Sequence, residues 1–390
     1  MTACPKCHVP VKNYEEYCEA CGAELSATVV ETEPAPAEES TQQTVPQLSD
    51  LSGVASICPA CGGEVSEDGY CGTCGARAPK RRDHFTEQPA AWVAAVCDRG
   101  LRHTRNEDAV ALAADTQPGS RAVLVVCDGV STSVDSDLAS LAAARAARDV
   151  LASSHSRGIV AGFPLVTAII ARLGLAADAA SEAVLEVGRN AKDLTAPDIS
   201  PLPSPASCTF VAAVVEHNTL VVGSVGDSRA YWIPDLGAAT ALTPDDSFAQ
   251  VQIAAGVPRQ DAESGPQSHA ITRWLGADAP DHKPSTASMT LSEPGWLLVC
   301  SDGLWNYSSA AQDMADLVRQ TISTSPAAAE PLALAEALVN WAKAQGVQDN
   351  ISAALARIQP VERRTHKRTR AQRSTQLPIR SHRERKPRDG

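Results

Sequence analysis

The sequence predicts an α+β fold, antiparallel sheets covered by helices, on three observations. Short apolar runs follow one another across tight turns, as in CTFVAAVVE and TLVVGSVG with His217-Asn218 between them. Strands joined so closely pair antiparallel. Two long Ala/Leu-rich stretches, 135–153 and 164–192, read as helices that would bury an apolar face on those sheets.

The elements come in chain order. The segment 4–25, CPKCHVPVKNYEEYCEACGAEL, is repeated at 58–78 as CPACGGEVSEDGYCGTCGARA. Between them, 26–56 is rich in Glu, Thr, Pro, Ala and Gln and reads as an acidic linker with too little apolar surface to order itself. The stretch 80–88 reads as a short polar joint, so the repeats should be only weakly coupled to the larger domain beyond it. AWVAAVCD alternates like a strand, and RAVLVVCD is a continuous apolar run, as for a strand buried on both faces. After the two helices comes a Pro-rich loop, 193–205. CTFVAAVVE, TLVVGSVG, RAYWI, GWLLVCSD and ISAALARI read as further strands, with a helix over 328–345 between the last two. From 361 the chain is basic, with Ser, Thr and Pro and no periodicity, and reads as a disordered tail.

Composition bounds the rest. A chain of 390 residues holds one domain of about 250 residues plus appendages. Only 15 residues are aromatic, so Ala, Val and Leu must fill the core. The formal charge is −12, although 361–390 carries 11 Lys/Arg against 3 acids. An acidic body disfavours nucleic acid as substrate. No stretch reaches 18 consecutive apolar residues, and the start, MTACPKCHVP, has neither the basic nor the apolar segment of a signal peptide. The expected compartment is the cytoplasm, where disulfides are rare. Cys97, Cys127, Cys208 and Cys300 lie in apolar runs and read as small buried hydrophobes.

Five aspartates stand beside strand-like runs: Asp108 in NEDA, Asp128 in VLVVCDGV, Asp227 in GSVGDSRAYW, Asp302 in WLLVCSDGLW and Asp349 in VQDNISAAL. Carboxylates held at rigid strand ends can converge, and converging carboxylates raise one another's pKa unless cations join them. Mg²⁺ or Mn²⁺ suits such oxygen ligands. Two ions about 3.5–4 Å apart form a hydrolytic centre for phosphate esters.

These strings, in this order, resemble the metal-dependent (type 2C) serine/threonine protein phosphatase family over roughly 91–358. GDSRAY, CSDGLW and DNIS, with LTPDDS and ITRWLG between them, carry the resemblance. It implies a four-layer sandwich, two antiparallel β-sheets flanked by α-helices. It also implies hydrolysis of phosphoserine and phosphothreonine by a metal-activated water, in phosphoproteins made by serine/threonine kinases. Asp128 matches the aspartate bridging two metals, and Gly129 the residue whose carbonyl coordinates one of them. Asp302 and Asp349 match the other carboxylates of the second metal. Asp227 matches a ligand of a third, weaker ion. Glu107 and Asp108 match acids that bind through water.

Two positions depart from the family pattern. His103 stands in GLRHTRNED where many members have a phosphate-gripping arginine, with Arg102 and Arg105 on either side. Either His103 holds phosphate or delivers a proton, or it is a rim residue and Arg102 or Arg105 does the work. Val130 follows Asp-Gly where His or Met is common, and it cannot act as an acid. These substitutions leave open a second reading, a zinc-ribbon adaptor with an inactive phosphatase-like domain. Ser131, Ser133, Ser308 and Ser309 read as turn residues.

The cysteine repeats look like bacterial double zinc ribbons. Cys4, Cys7, Cys18 and Cys21, and then Cys58, Cys61, Cys71 and Cys74, offer four thiolates each for one structural Zn²⁺. His8 is a possible substitute ligand. Acidic residues in the ribbon loops, among them Glu15, Glu16, Glu19, Glu67 and Asp68, disfavour a grip on DNA backbone, so the ribbons are expected to dock protein. The expected boundaries are 1–25 for the first ribbon, 26–56 for the linker, 57–79 for the second ribbon, 90–359 for the phosphatase domain and 360–390 for the tail.

Overall fold

In a computed structural model of the protein, the described residues are 2–3, 10–11, 55–153, 164–191, 204–265 and 267–360. Cys4, Cys7, Cys18, Cys21 and His8, most of the linker, the loop 192–203 and the tail 361–390 lie outside them. The chain divides into two units, 1–42 and 43–390. In the first, β1 (Thr2–Ala3) pairs antiparallel with β2 (Pro10–Val11).

The second unit opens on the second cysteine repeat, whose short bridges pair Ile57 with Glu64, Val65 with Cys71 and Tyr70 with Arg77. A 3₁₀ turn at Arg81–Asp83 leads into β3 (His84–Ala90), β4 (Val93–Asp98), β5 (Asp108–Ala114) and β6 (Arg121–Asp128). Helices α1 (Ser136–Ser153) and α2 (Leu165–Asn190) come next, then β7 (Ser207–Cys208), β8 (Phe210–Glu216), β9 (Thr219–Val225), β10 (Arg229–Pro234) and β11 (Thr240–Ala241). Short helices α3 (Phe248–Ala254) and α4 (Arg259–Glu263) precede β12 (Leu275–Gly276), β13 (Ser285–Thr290) and β14 (Gly295–Cys300). The described chain ends with α5 (Asp302–Trp305), α6 (Ala311–Thr324), α7 (Pro331–Ala344) and β15 (Ile351–Ile358).

Two antiparallel sheets result. One has six strands in the order β11-β10-β14-β15-β4-β3, and the other five in the order β13-β9-β8-β6-β5. Helices α1 and α2 pack on each other and cover the five-stranded sheet. On the six-stranded sheet, α7 lies over β4 and β15 and carries α6. This is the expected four-layer sandwich. Its central strands are apolar on both sides because each face meets a core. In β14, Leu297 and Val299 point into the cluster shared with the other sheet, whereas Trp296, Leu298 and Cys300 point into the cluster under α6 and α7. Cys97, Cys127, Cys208 and Cys300 are all fully buried, as expected.

The amino side of the domain corrects the sequence reading. The stretch 80–88 is no loose joint. Lys80 to Asp83 forms a capped turn, and β3 pairs with β4 at the edge of the six-stranded sheet, so that sheet begins at His84 rather than at 90. Arg82 is buried, and its guanidinium donates to the carbonyls of Asn106 (3.0 Å), Asp108 (3.2 Å) and Asp137 (2.5 Å) and to Ser140 Oγ (3.2 Å). An arginine spent on buried carbonyls satisfies groups that would otherwise be costly to desolvate.

Candidate metal centre and zinc ribbon

The five aspartates come from five places in the chain and meet where the two sheets end. Asp108 opens β5 and Asp128 closes β6, and the register sets them directly opposite. Asp302 begins α5 just past β14, and Asp349 stands two residues before β15. Asp227 lies in the turn between β9 and β10. Two close backbone approaches bring the ends together. A Cβ on Gly303 would lie 1.9 Å from the carbonyl oxygen of Asn350, and one on Gly100, at φ +69°, would lie 2.1 Å from that of Asp349. Only glycine fits either position.

The acids burden one another. Burial pushes Asp108 up to about 7, with Asp349 adding to the rise, although Ser301 Oγ donates to Asp108 Oδ2 at 2.6 Å. Burial likewise raises Asp227 to about 7, and Asp245 adds to it. Asp128 keeps an edge in solvent, yet its carboxyl sits deep enough that burial, then Asp108, Asp302, Asp349 and Asp227, push it well above the carboxylate range. Asp302 is raised well above it too, by burial and then by Asp349, Asp227 and Asp108. Asp108 Oδ1 and Asp302 Oδ1 are buried without a hydrogen-bond partner. Orphaned hard oxygens among mutually repelling acids fit a divalent cation.

Loop 99–107 forms one wall. Asn350 Oδ1 accepts from Glu107 N at 2.7 Å, and its Nδ2 donates to the carbonyls of Arg99 (2.8 Å) and Arg105 (3.2 Å). His103 stands between two of the acids, with Nδ1 3.3 Å from Glu107 Oε2 and Nε2 3.4 Å from Asp349 Oδ1. Arg105 is turned inward on Glu107, Nε to Oε1 at 2.9 Å, and Arg102 is exposed. Burial works to raise the Glu107 carboxyl, but hydrogen bonds from Ser136, Arg105 and Ser131 bring it below the usual value. Ser133 Oγ donates to the Val130 carbonyl as a turn hydroxyl does, and Ser308 closes a turn on Trp305. Ser131 stands in a turn too, and its Oγ also donates to Glu107 Oε2 at 2.9 Å. Ser309, just past the turn that follows α5, donates to Glu263 Oε1 at 2.7 Å.

A cleft of about 520 Å³ opens beside Asp302 and Asp349 and is lined by Arg229, His269, Trp305 and Tyr307 among others. The sequence reading does not single out Arg229. It is 4% exposed, grips Asp245 with two bonds (2.8 and 2.6 Å), donates to the Ser309 carbonyl at 3.0 Å and lies 3.5 Å over the Trp305 ring. An arginine at the head of the otherwise apolar strand RAYWI is the available signal.

The second ribbon is assembled. Cys58 and Cys74 Sγ are 3.7 Å apart, Cys61 and Cys71 Sγ 3.4 Å, and all four sulfurs lie within 4.8 Å of one another. Among the described residues no other set of three or more His, Cys, Asp or Glu ligand atoms is so tight. The amides of Cys74 and Thr73 hold the Cys71 thiol well below its usual value; the Gly63 amide works to lower Cys61 as well, but its hydrogen bonds with the Cys74 and Cys71 sulfurs push it up to about 12. Four sulfurs at these distances fit a tetrahedral Zn²⁺ site, which binds thiolates.

Fold and site together define a two-sheet sandwich with a cluster of buried acids where the sheets end. Comparison with known proteins gives the class its name. Residues 100–342 match the protein phosphatase 2C family, and residues 4–75 match the double zinc ribbon. The chain belongs to the protein phosphatase 2C family and carries a double zinc ribbon at its amino side. A serine/threonine phosphatase stp of Listeria welshimeri is 28% identical over 148 residues, 38% of this chain and 55% of that protein. The chain thus spans about half the length of the curated relatives it matches. In fold it resembles the serine/threonine phosphatase of S. agalactiae (TM-score 0.52, 22% identity, covering 70% of this chain and all of that one). Stp1 of Staphylococcus aureus is similar (TM-score 0.53, 22% identity, covering 68% and 94%). No helix among the described residues is long and apolar enough to cross a membrane.

Proposed function

We propose that the protein is a metal-dependent serine/threonine protein phosphatase, a phosphoric monoester hydrolase acting on phosphoproteins in the cytoplasm, with the ribbons as its docking module. The observation that carries this is the convergence of Asp108, Asp128, Asp302 and Asp349 with unpartnered oxygens beside an open cleft. Asp128 with the Gly129 carbonyl, and Asp302 with Asp349, would hold two Mg²⁺ or Mn²⁺ ions. Asp227 would hold a third, weaker one. Such a pair of cations neutralises phosphoryl charge and lowers the proton affinity of water.

The chain's own residues do the rest. Glu107 and Asp108 are fixed by serine hydroxyls and would reach a cation through bound water. His103, on the lip between Glu107 and Asp349, is placed to hold a phosphoryl oxygen or pass a proton. Arg102 is exposed and free to meet an anionic substrate, and Arg105 is committed to Glu107. The cleft takes the peptide flanking the phosphoresidue. The inactive adaptor rests on the departures at His103 and Val130, and the contacts of His103 with Glu107 and Asp349 support the enzyme instead. The test is turnover of a phosphothreonine peptide with and without added Mn²⁺. Mn²⁺-dependent release of phosphate is expected, and its absence in the full chain would leave only the adaptor.

A further inference from the structure

We propose that the second zinc ribbon is a control site: metal held at Cys58, Cys61, Cys71 and Cys74 sets the order of loop 99–107 through Arg77. The effect on turnover rests on the phosphatase reading, whereas the effect on the loop does not. Three observations carry the idea. First, three residues beyond the last ribbon cysteine, Arg77 Nη1 donates to the Thr104 carbonyl at 2.7 Å, next to His103. Secondly, the ribbon runs without a break into a splint along the same loop. Ala78 N donates to the Gly69 carbonyl, and Ala55 N to that of Pro79, closing the ribbon. Arg99 N then donates to the Asp83 carbonyl, Asn106 Nδ2 to the Arg82 carbonyl, and Arg82 to the carbonyls of Asn106 and Asp108, on either side of Glu107.

Thirdly, the ribbon has almost no core of its own. Between residues 55 and 80 the buried apolar residues are Cys58, Cys71 and Ala78. A unit of that kind folds on binding its metal and unfolds on losing it. That supplies the two-state element a coupling between distant sites requires. With metal, the strand segment at Tyr70 and Arg77 is paired and Arg77 is aimed at Thr104. Without it, Arg77 is released and the splint loses its outer anchor, while Arg82 stays fixed in the domain. Loop 99–107 is then held by Arg82 and Asn350. One surface hydrogen bond shifts a local opening equilibrium by about 2- to 10-fold.

The experiment compares the full chain, Arg77→Ala and Cys74→Ser by amide hydrogen exchange, with zinc per chain measured on the same samples and phosphatase turnover alongside. Cys74→Ser should lose one zinc per chain and exchange faster in 99–107 by about 2- to 10-fold, with α7 unchanged. Arg77→Ala should keep its zinc and show the same acceleration, and it decides the matter if Cys74→Ser fails to fold. Unchanged exchange of 99–107 in Arg77→Ala overturns the proposal, as does unchanged exchange in a folded, zinc-depleted Cys74→Ser. A full chain without turnover would sink the phosphatase reading and leave the exchange result to stand or fall by itself.

Discussion

Asp108 and Asp128 face each other as a registered pair across β5 and β6, and both carboxyls are pushed up from their ordinary range, Asp108 to about 7 and Asp128 further. Like acids opposite one another destabilise a strand pair, so the register makes sense only with protons or cations between them. Near neutral pH the metal-free protein should hold protons there, and metal should displace them. Calorimetric titration with Mn²⁺ in two buffers of different ionisation heat should therefore show proton release, with affinity rising from pH 6 to pH 8. Binding without proton exchange would count against the arrangement.

Asp128→Asn and Asp302→Asn should each abolish nearly all hydrolysis, because a neutral amide holds a divalent cation poorly. Initial rates on a small aryl phosphate check this. A variant keeping more than about a tenth of the wild-type rate, a barrier change under about 1.4 kcal/mol, would remove that residue from the centre.

His103 touches Glu107 and Asp349, so its role cannot be separate from theirs. His103→Ala should lower kcat/KM by about 10- to 100-fold, in the range of lost acid–base or anion-holding groups, and weaken metal affinity somewhat as well. Arg102→Ala should change kcat/KM less. Steady-state kinetics across a Mn²⁺ series separates the two effects, and the reverse ranking would hand the phosphate to Arg102.

The five aspartates are legible in the sequence because each stands beside an apolar run, and a strand end is a fixed place. The pairing of Gly100 with Asp349 is not, since it joins residues far apart in the chain through a backbone approach that leaves no local pattern. β3 is hidden for a different reason. Its sequence HFTEQPA has a proline, and although burial alternates from His84 to Gln88, the inward place after Phe85 is taken by Glu87, so no apolar alternation shows; a bulge follows, as an edge strand allows. Arg82 reads as surface charge because buried arginines are rare, and what it satisfies is backbone carbonyls. The helix α6 escapes the sequence reading although Met314, Leu317 and Val318 mark its buried face.

His84 couples stability to pH. Its Nδ1 lies 2.7 Å from Asp98 Oδ2, which Lys343 Nζ also reaches at 2.7 Å, and its Nε2 faces Glu336 at 3.3 Å. The bond to Asp98 raises the imidazole's pKa above the ordinary value, so the charged ring stabilises the fold. That contribution is whole below the unfolded-state pKa of about 6.5 and is lost as pH rises through the raised folded value. The melting temperature of wild type relative to His84→Gln should therefore be highest near pH 6 and shrink by pH 8.5. A constant difference would show that His84 acts only by packing.

Arg82 should matter more to stability than any exposed charge. Arg82→Met fills much of the same space but leaves the carbonyls of Asn106, Asp108 and Asp137 without its donors. A buried acceptor left unmatched costs about 1–3 kcal/mol, and water can reach only some of these three. A loss of about 2–4 kcal/mol in denaturant unfolding is expected for the metal-loaded full chain. A chain beginning at Pro89 removes Arg82 and most of β3 together, so it should fail to give a cooperative unfolding transition. A chain beginning at Ala55 keeps the ribbon, the splint and the whole sheet and should unfold like the full protein. If the Pro89 chain proved as stable as the Ala55 chain, the splint would be an ornament on an independent domain, and the buried guanidinium would need another explanation.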